Sequence, residues 1–182
     1  FIDFIPAQDY VTSGIWEINF TGRKIDVGIV NLWLPGGGIL GGSTGFLNPT
    51  PRGTMTIPST ARKVLSVGAY DSRRNVYADF SGQGGLGLNK PDLVAPGVDI
   101  TAPNLANGYS SFTGTSMASP MAAGSAALLM EWGIVRGNDP FLYGEKVKAY
   151  LRRGAKPLPG FDEYPNPWVG YGALCVRDGL PV

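Results

Sequence analysis

The stretch from Ser116 to about Gly133 reads as one helix rich in Ala, Ser and Met, and it constrains the fold more than any other segment. Ala118, Ala122, Ala123 and Gly124 keep this helix slim enough to lie buried between a sheet and its neighbours. Pro120 falls in the first turn, where a missing N–H does little harm. The apolar run from Ala122 to Met130 is too short to span a bilayer. It therefore reads as part of a buried core helix, and no other run is longer. Upstream lie short apolar segments of strand character: Lys63 to Tyr70, Asp92 to Ala95 closed by Pro96-Gly97, Ile100 to Ala102, and Tyr109 to Phe112. A second helix is predicted from about Tyr143 to Arg153, stopping at Gly154. Strands followed by helices in this manner predict an α/β layer structure, a parallel sheet with helices.

The first 50 residues have a different character. Gly14 to Phe20 alternates apolar and polar, with Trp16, Ile18 and Phe20 on one side. Ile25 to Leu34 is a second strand candidate, and Thr21-Gly22-Arg23-Lys24 between them suits a hairpin turn. Pro35-Gly36-Gly37-Gly38 through Gly41-Gly42-Ser43 is a loop by composition. It lacks the Gly-Lys-Ser/Thr ending of a phosphate-cradling loop. No internal repeat is present.

Composition narrows the function classes. Apolar residues make up 43% and charged residues 16%, enough apolar material for a core. The 27 Gly and 15 Pro indicate many tight connections. A net charge of +1, with both signs spread along the chain, does not match a nucleic-acid surface or a polybasic membrane anchor. Arg152-Arg153 closes a helical pattern and reads as a solvated helix C-terminus. The single cysteine, Cys175, allows no intrachain disulfide and reads as a small buried residue. There is no histidine at all.

Gly114-Thr115-Ser116-Met117-Ala118-Ser119-Pro120 carries the chemistry. A serine that enters a helix directly after a Gly-Thr turn holds its hydroxyl at the positive end of the helix dipole. Free backbone N–H groups there can face a developing oxyanion. Gly114 lets a substrate backbone approach closely. The alternative is an ordinary N-capping hydroxyl on a core helix.

The seven residues, with the small-residue helix behind them, resemble the nucleophile motif of the subtilisin family of serine proteases. Further pieces resemble that family in the same order. They are Ile57-Pro58-Ser59-Thr60-Ala61 leading into Val64 to Ala69, then Asp79-Phe80-Ser81-Gly82, Lys90 to Gly97, and Gly170-Tyr171-Gly172-Ala173-Leu174. Together they cover roughly residues 57 to 178. Residues 1 to 56, with Trp16 and the strand ending Leu32-Trp33-Leu34-Pro35, resemble the inserted jelly-roll-like β-sandwich of clostridial-type spore-germination subtilases. The resemblance thus divides the chain into 1–56, the end of a β-sandwich insert, and 57–182, the C-terminal part of a subtilisin-like catalytic domain. Trp16 and Trp33 read equally as plain core packing.

The resemblance implies acyl transfer to water, with Ser116 as nucleophile, Gly114 and Thr115 supporting the oxyanion and substrate, and Met117, Ala118, Ser119 and Pro120 as the structural part of the motif. The family's catalytic Asp and His, and its oxyanion Asn, lie upstream of everything here. Asn48 and Asn104 do not match that Asn motif, and Met121 stands where subtilisins commonly carry a structural His. Asp79, Asp92 and Asp99 are no substitute for the base, because a lone carboxylate with a pKa near ~4 is a poor base for a serine. Three readings stay open: the C-terminal portion of an active protease, a regulatory pseudo-protease that binds without cleaving, and a β-rich binding module in which Ser116 only caps a helix.

A peptide or protein substrate and a separate N-terminal portion carrying Asp and His are the partners implied. No cofactor is identified; calcium is common in the family, but no ligands can be assigned. The resemblance implies an extracellular or spore-associated site of action. Phe1 is not an initiator Met and no signal-peptide pattern follows it, so a piece of a longer protein is expected. A parallel sheet without its first strands exposes an apolar face. The 182-residue chain is therefore expected to be stable only with a partner or by self-association. A dilution series in the analytical ultracentrifuge should show association, and a well-folded monomer would contradict it.

Overall fold

A computed structural model describes residues 2, 4–6, 9, 11–35, 40, 42–85 and 87–180. The chain divides into two compact units, Phe1–Pro35 and Gly36–Val182. In the first unit the described residues form neither helix nor strand. The antiparallel strands expected over 14–20 and 25–34, with their hairpin turn at 21–24, are not formed, and with them goes the jelly-roll-like part of the expected fold. Alternation makes a strand only where a neighbouring strand takes up the backbone groups and a core takes up one face. Here Ile15, Ile25, Val27, Ile29 and Val30 all stay exposed, and no ladder runs alongside them. The local order includes an edge-to-face contact between Phe4 and Trp16 and a hydrogen bond from Trp16 Nε1 to the Thr12 carbonyl. Of the glycine-rich loop, residues 36–39 and 41 lie outside the described residues.

The second unit carries the expected α/β layers. Its strands are β1 (Val67–Asp71), β2 (Val76–Tyr77), β3 (Leu93–Pro96), β4 (Ile100–Pro103) and β5 (Tyr109–Phe112). Its helices are α1 (Thr115–Met130), α2 (Gly144–Arg153) and the short α3 (Val176–Gly179). Among the described residues one sheet has the order β2-β1-β3. β1 runs parallel to β3, with Val67 opposite Leu93 and Tyr70 opposite Pro96, and antiparallel to β2. β4 and β5 form a separate hairpin. Residues 51–56 join this unit, since Gly53 N–H and Thr54 N–H donate to the carbonyls of Gly84 and Gln83.

Side-chain alternation in β3 sends its residues to opposite layers. Leu93 packs with Leu129, Leu142, Val147 and Leu151, under both long helices. Ala95 meets Ala69, Ala78 and Ala118, all small, which lets the start of α1 lie close on the sheet. Val94 faces the other way, onto Leu158, Val169 and Ala173, where Tyr77, Phe161 and Trp168 add edge-on and tilted ring contacts. The far edge of β3 is covered too, because Val94 N–H donates to the Gly172 carbonyl and Leu174 N–H to the Val94 carbonyl.

The long helix ends earlier than expected. Regular α geometry stops at Met130, and a π-turn takes over from Glu131 to Val135. Gly133 is buried within that turn, and a Cβ on it would lie 2.5 Å from Leu142 Cδ2. The turn thus widens to admit Leu142 into the core. In α1 only Ala118, Ala122 and Leu129 are fully buried, while Met121, Leu128 and Met130 remain exposed. A helix apolar on all sides is normally covered on all sides, so the outer face of α1 is unpartnered among the described residues.

One polar cluster is buried at the heart of this unit. Asp92, fully buried at the start of β3, accepts hydrogen bonds from the Ser66 N–H (2.6 Å) and Lys90 Nζ (2.7 Å) on Oδ2. Its Oδ1 faces Arg152 Nη2 and Lys148 Nζ, the latter at 3.2 Å. Lys90 and Lys148, both buried, also donate to the Val64 carbonyl, and Lys148 to that of Arg62. The Arg152 guanidinium lies over the Tyr171 ring, 4.9 Å from its centroid. Burial alone would raise the Asp92 pKa. The hydrogen bonds from Lys90, Ser66 and Arg152 and the charge of Lys90 win, and hold it below the usual carboxylate value. Burial pushes the Lys148 ammonium down, helped by Lys90 and opposed by Asp92.

Removing the carboxylate strands two buried ammonium groups, so Asp92→Ala should cost about 3–5 kcal/mol of stability. Because the folded pKa of Asp92 is depressed, its contribution is present above the unfolded value of about 4 and is lost as pH falls through the folded value. Tryptophan fluorescence during acid titration should show unfolding that sets in below about pH 4. An Asp92→Asn chain with the same acid profile and stability would refute this assignment.

Candidate active site

The turn that leads into α1 is held by backbone. β3 ends at Pro96, and Gly97 N–H donates to the Tyr70 carbonyl of β1 (3.0 Å). The Gly97 carbonyl in turn accepts from the Gly114 N–H (2.8 Å). The sheet, the Gly97 turn and the helix entry are thus linked by two successive hydrogen bonds. Beside them Asp99 N–H donates to Thr113 Oγ1 (3.0 Å), and Arg73 Nη2 donates to the Asp99 carbonyl (3.2 Å). The hairpin β4–β5 spans the interval and returns the chain to the same place, four residues before Ser116.

Gly97 permits this closeness. A Cβ there would lie 2.7 Å from Ala69 Cβ and 2.9 Å from the Gly114 carbonyl oxygen. Gly114 takes the N-cap position with φ 156°, a backbone shape that favours glycine. No side chain caps the helix. Thr115 is the first helical residue and Ser116 the second, so Ser116 lies inside the first turn and does not cap it. That is where the helix-cap alternative parts from the structure. The Ser116 side chain is exposed and makes no hydrogen bond among the described residues. Its N–H is one of the first-turn donors that a helix leaves without an intrahelical acceptor.

The rest of the expected motif is brought together as a unit. Met117 is half-buried and its N–H donates to the Gly114 carbonyl (3.0 Å), closing the turn. Ala118 is fully buried against Ala69, Ala78 and Ala95. Ser119 and Pro120 lie on the exposed side of the first turn. A cleft of about 460 Å³ opens beside Thr115, walled by Met55, Thr56, Val67 and Phe80. Asn104 lies apart from the turn, in the tip of the β4–β5 hairpin, where it bonds Ser110, Ala106 and Gly108. Among the described residues no group of His, Cys, Asp or Glu could hold a metal ion.

Sequence reasoning missed Gly97 and Thr113. Pro96-Gly97 reads as a strand stop, and nothing in its spacing says that it touches a turn 17 residues later. The hairpin length alone carries that information, and only once the hairpin is known to form.

Residues 43–172 match the model of the subtilase family. The chain is 33% identical over 150 residues to serine protease AprX of Bacillus subtilis, covering 70% of the chain and 32% of that protein. It is 46% identical over 106 residues to alkaline elastase YaB of a Bacillus species, covering 58% and 25%. Among solved structures, the CspB protease of Clostridium perfringens superposes with a TM-score of 0.72 at 46% identity, over 75% of this chain and 29% of that one. The maturation protease PagA gives 0.56 at 33% identity, over 68% and 43%. The chain therefore spans about a quarter to a third of the curated relatives' length.

Since the obstacles at Gly97 are a methyl group fixed on a strand and a backbone carbonyl, neither can swing aside. Gly97→Ala should therefore destabilise the chain by roughly 1–3 kcal/mol, read as a lower urea midpoint. An unchanged midpoint would show that the turn has room to spare.

Proposed function

Because the chain belongs to the subtilase family, we propose that it supplies the serine nucleophile of a subtilisin-type endopeptidase whose histidine and aspartate come from polypeptide outside this sequence. The observation that carries this reading is Ser116 itself. It is exposed, its hydroxyl is unengaged, and it sits as the second residue of a helix whose cap position is filled by glycine. A serine spent on capping would have its oxygen turned to its own backbone.

In the proposed reaction Ser116 Oγ attacks a peptide carbonyl and an imidazole takes its proton. The Ser116 N–H, at the positive end of α1, donates to the oxygen as it becomes an oxyanion. The imidazole then protonates the departing amine. Water, activated the same way, releases the acyl group and restores the hydroxyl. Gly114 leaves space for the substrate backbone, and Thr115 faces the adjoining cleft. This sequence contains no histidine, so the proton-transfer steps, worth ~10²–10⁴-fold, are absent from the chain alone. Residues 57–182 act in this reading as the C-terminal part of the catalytic domain, working outside the cell or at the spore. The unpartnered outer face of α1 suits contact with the remaining part of that domain.

A fluorophosphonate probe tests this directly, since it reacts with a serine that a base has activated. The pure chain should remain unlabelled. Assembled with the polypeptide that carries the histidine, it should be labelled at Ser116, mapped by mass spectrometry, with Ser116→Ala blank. No labelling of the assembled protein would sink the reading and leave a catalytically silent binding protein in its place.

A further inference from the structure

The cleft beside Thr115 has walls of mixed character and one charge. Met55, Val67 and Phe80 give it apolar surface, and Thr56 and Thr115 give it hydroxyl groups. Asp79 also lines it, and among the described residues no other ionisable side chain does. Several of the other polar groups nearby are engaged. Ser81 Oγ accepts from the Ala69 N–H, Thr54 Oγ1 accepts from the Gln83 N–H, and the Tyr77 hydroxyl donates to the Ser81 carbonyl. The Asp79 carboxylate has no hydrogen bond and no ion pair among the described residues, although Arg73 and Arg74 lie a few positions upstream. Those two arginines turn instead to Asp99 and Asp71.

An exposed carboxylate is ordinarily a solvated surface group. This one differs by place, because it stands in a cleft that opens on the first residue of the nucleophile helix. We propose that this cleft receives a basic side chain of the peptide substrate, and that Asp79 is the residue that selects it. The inference rests on the protease reading above. A lysine or arginine suits the walls: its methylene stem lies on apolar surface while its charged head reaches a polar partner. Phe80, half-exposed beside Asp79, offers a ring face to the same cation. A norleucine side chain fills the same space without answering the charge. An acidic side chain meets like-charge repulsion, which is how a single carboxylate both attracts one class and rejects another.

The test uses the histidine-bearing assembly with Ser116→Ala, which holds peptide without cleaving it. Fluorescent peptides carry Lys, norleucine or Glu at each position in turn, and affinity is read by anisotropy. At one position Lys should bind about fivefold to tenfold more tightly than norleucine. Asp79→Asn should bring that ratio close to one, and Asp79→Lys should reverse it in favour of Glu at the same position. A Lys preference that survives Asp79→Asn, or no preference at any position, overturns the inference. Cleavage by the Ser116 protein is scored separately. Cleavage without a charge preference refutes the role of Asp79 and leaves the protease reading intact. Charge-selective binding without cleavage refutes the protease reading and leaves a cation-selecting peptide site.

Discussion

Three cations and one backbone N–H converge on the carboxylate of Asp92, and the C-terminal unit is organised around that convergence. The groups come from three separate stretches of chain: the approach to β1, the approach to β3, and two successive turns of α2. Only Lys90 with Asp92, and Lys148 with Arg152, are neighbours in sequence. A buried carboxylate is tolerable only if its lone pairs are met, and buried ammonium groups only if their protons are. The Val64 and Arg62 carbonyls complete that condition for both lysines. The cluster therefore acts as a geometric requirement. α2 must lie where Lys148 and Arg152 reach Asp92, and β1 must begin where Ser66 does. Apolar burial beneath α2 stabilises the layer, while the charges fix its register.

From that anchored strand the path to Ser116 is short and made of backbone. β3 runs from Leu93, directly after Asp92, to Pro96, Gly97 bonds to β1, and Gly114 bonds to Gly97. Side chains take part mainly by being small: Ala69, Ala95 and Ala118 let the helix entry settle on the sheet. Such a site is positioned by the same hydrogen bonds that define the sheet. Any disturbance of the Asp92 cluster should reach Ser116 through β3, with no side chain of the motif itself altered.

What the sequence made legible follows from which signals are local. The α1 helix, the α2 helix and the strands β3, β4 and β5 lie close to where periodicity and turn residues put them, because each is decided within its own segment. The end of α1 was misjudged by a few residues, since the π-turn depends on Leu142 packing over Gly133. The N-terminal strands failed for the complementary reason. Alternation over 14–20 is a statement about faces, and without a paired neighbour the pattern fixes nothing. Asp92 is legible in sequence only as a residue unsuited to be a base; of its three cations Lys90 is adjacent, while Lys148 and Arg152 lie far off on a helix whose end looks solvated. Arg152 illustrates this well. Read as one half of a basic pair at a helix terminus, it is instead turned inward, over Tyr171 and onto Asp92.

Placement and activation of a nucleophile are separable, and in the proposed reading this chain supplies the placement. Placing Ser116 takes a sheet, a glycine turn and a helix N-terminus, all local to residues 67–130. Activating it takes a group that accepts a proton near neutral pH, and the sequence has no imidazole to offer. The available carboxylates are committed elsewhere or unsuited. Asp92 is held ionised by its cations, which makes it a still weaker base than a free carboxylate. Asp99 faces Arg73. Asp79 has no ion-pair partner among the described residues, and in the proposed reading it serves as a fixed negative charge for substrate. In the proposed reading, the part of the site that this chain supplies is the rigid part. It presents an unspent hydroxyl and helix-end N–H groups at a fixed place, so that a base arriving from elsewhere needs only to be brought within hydrogen-bond reach.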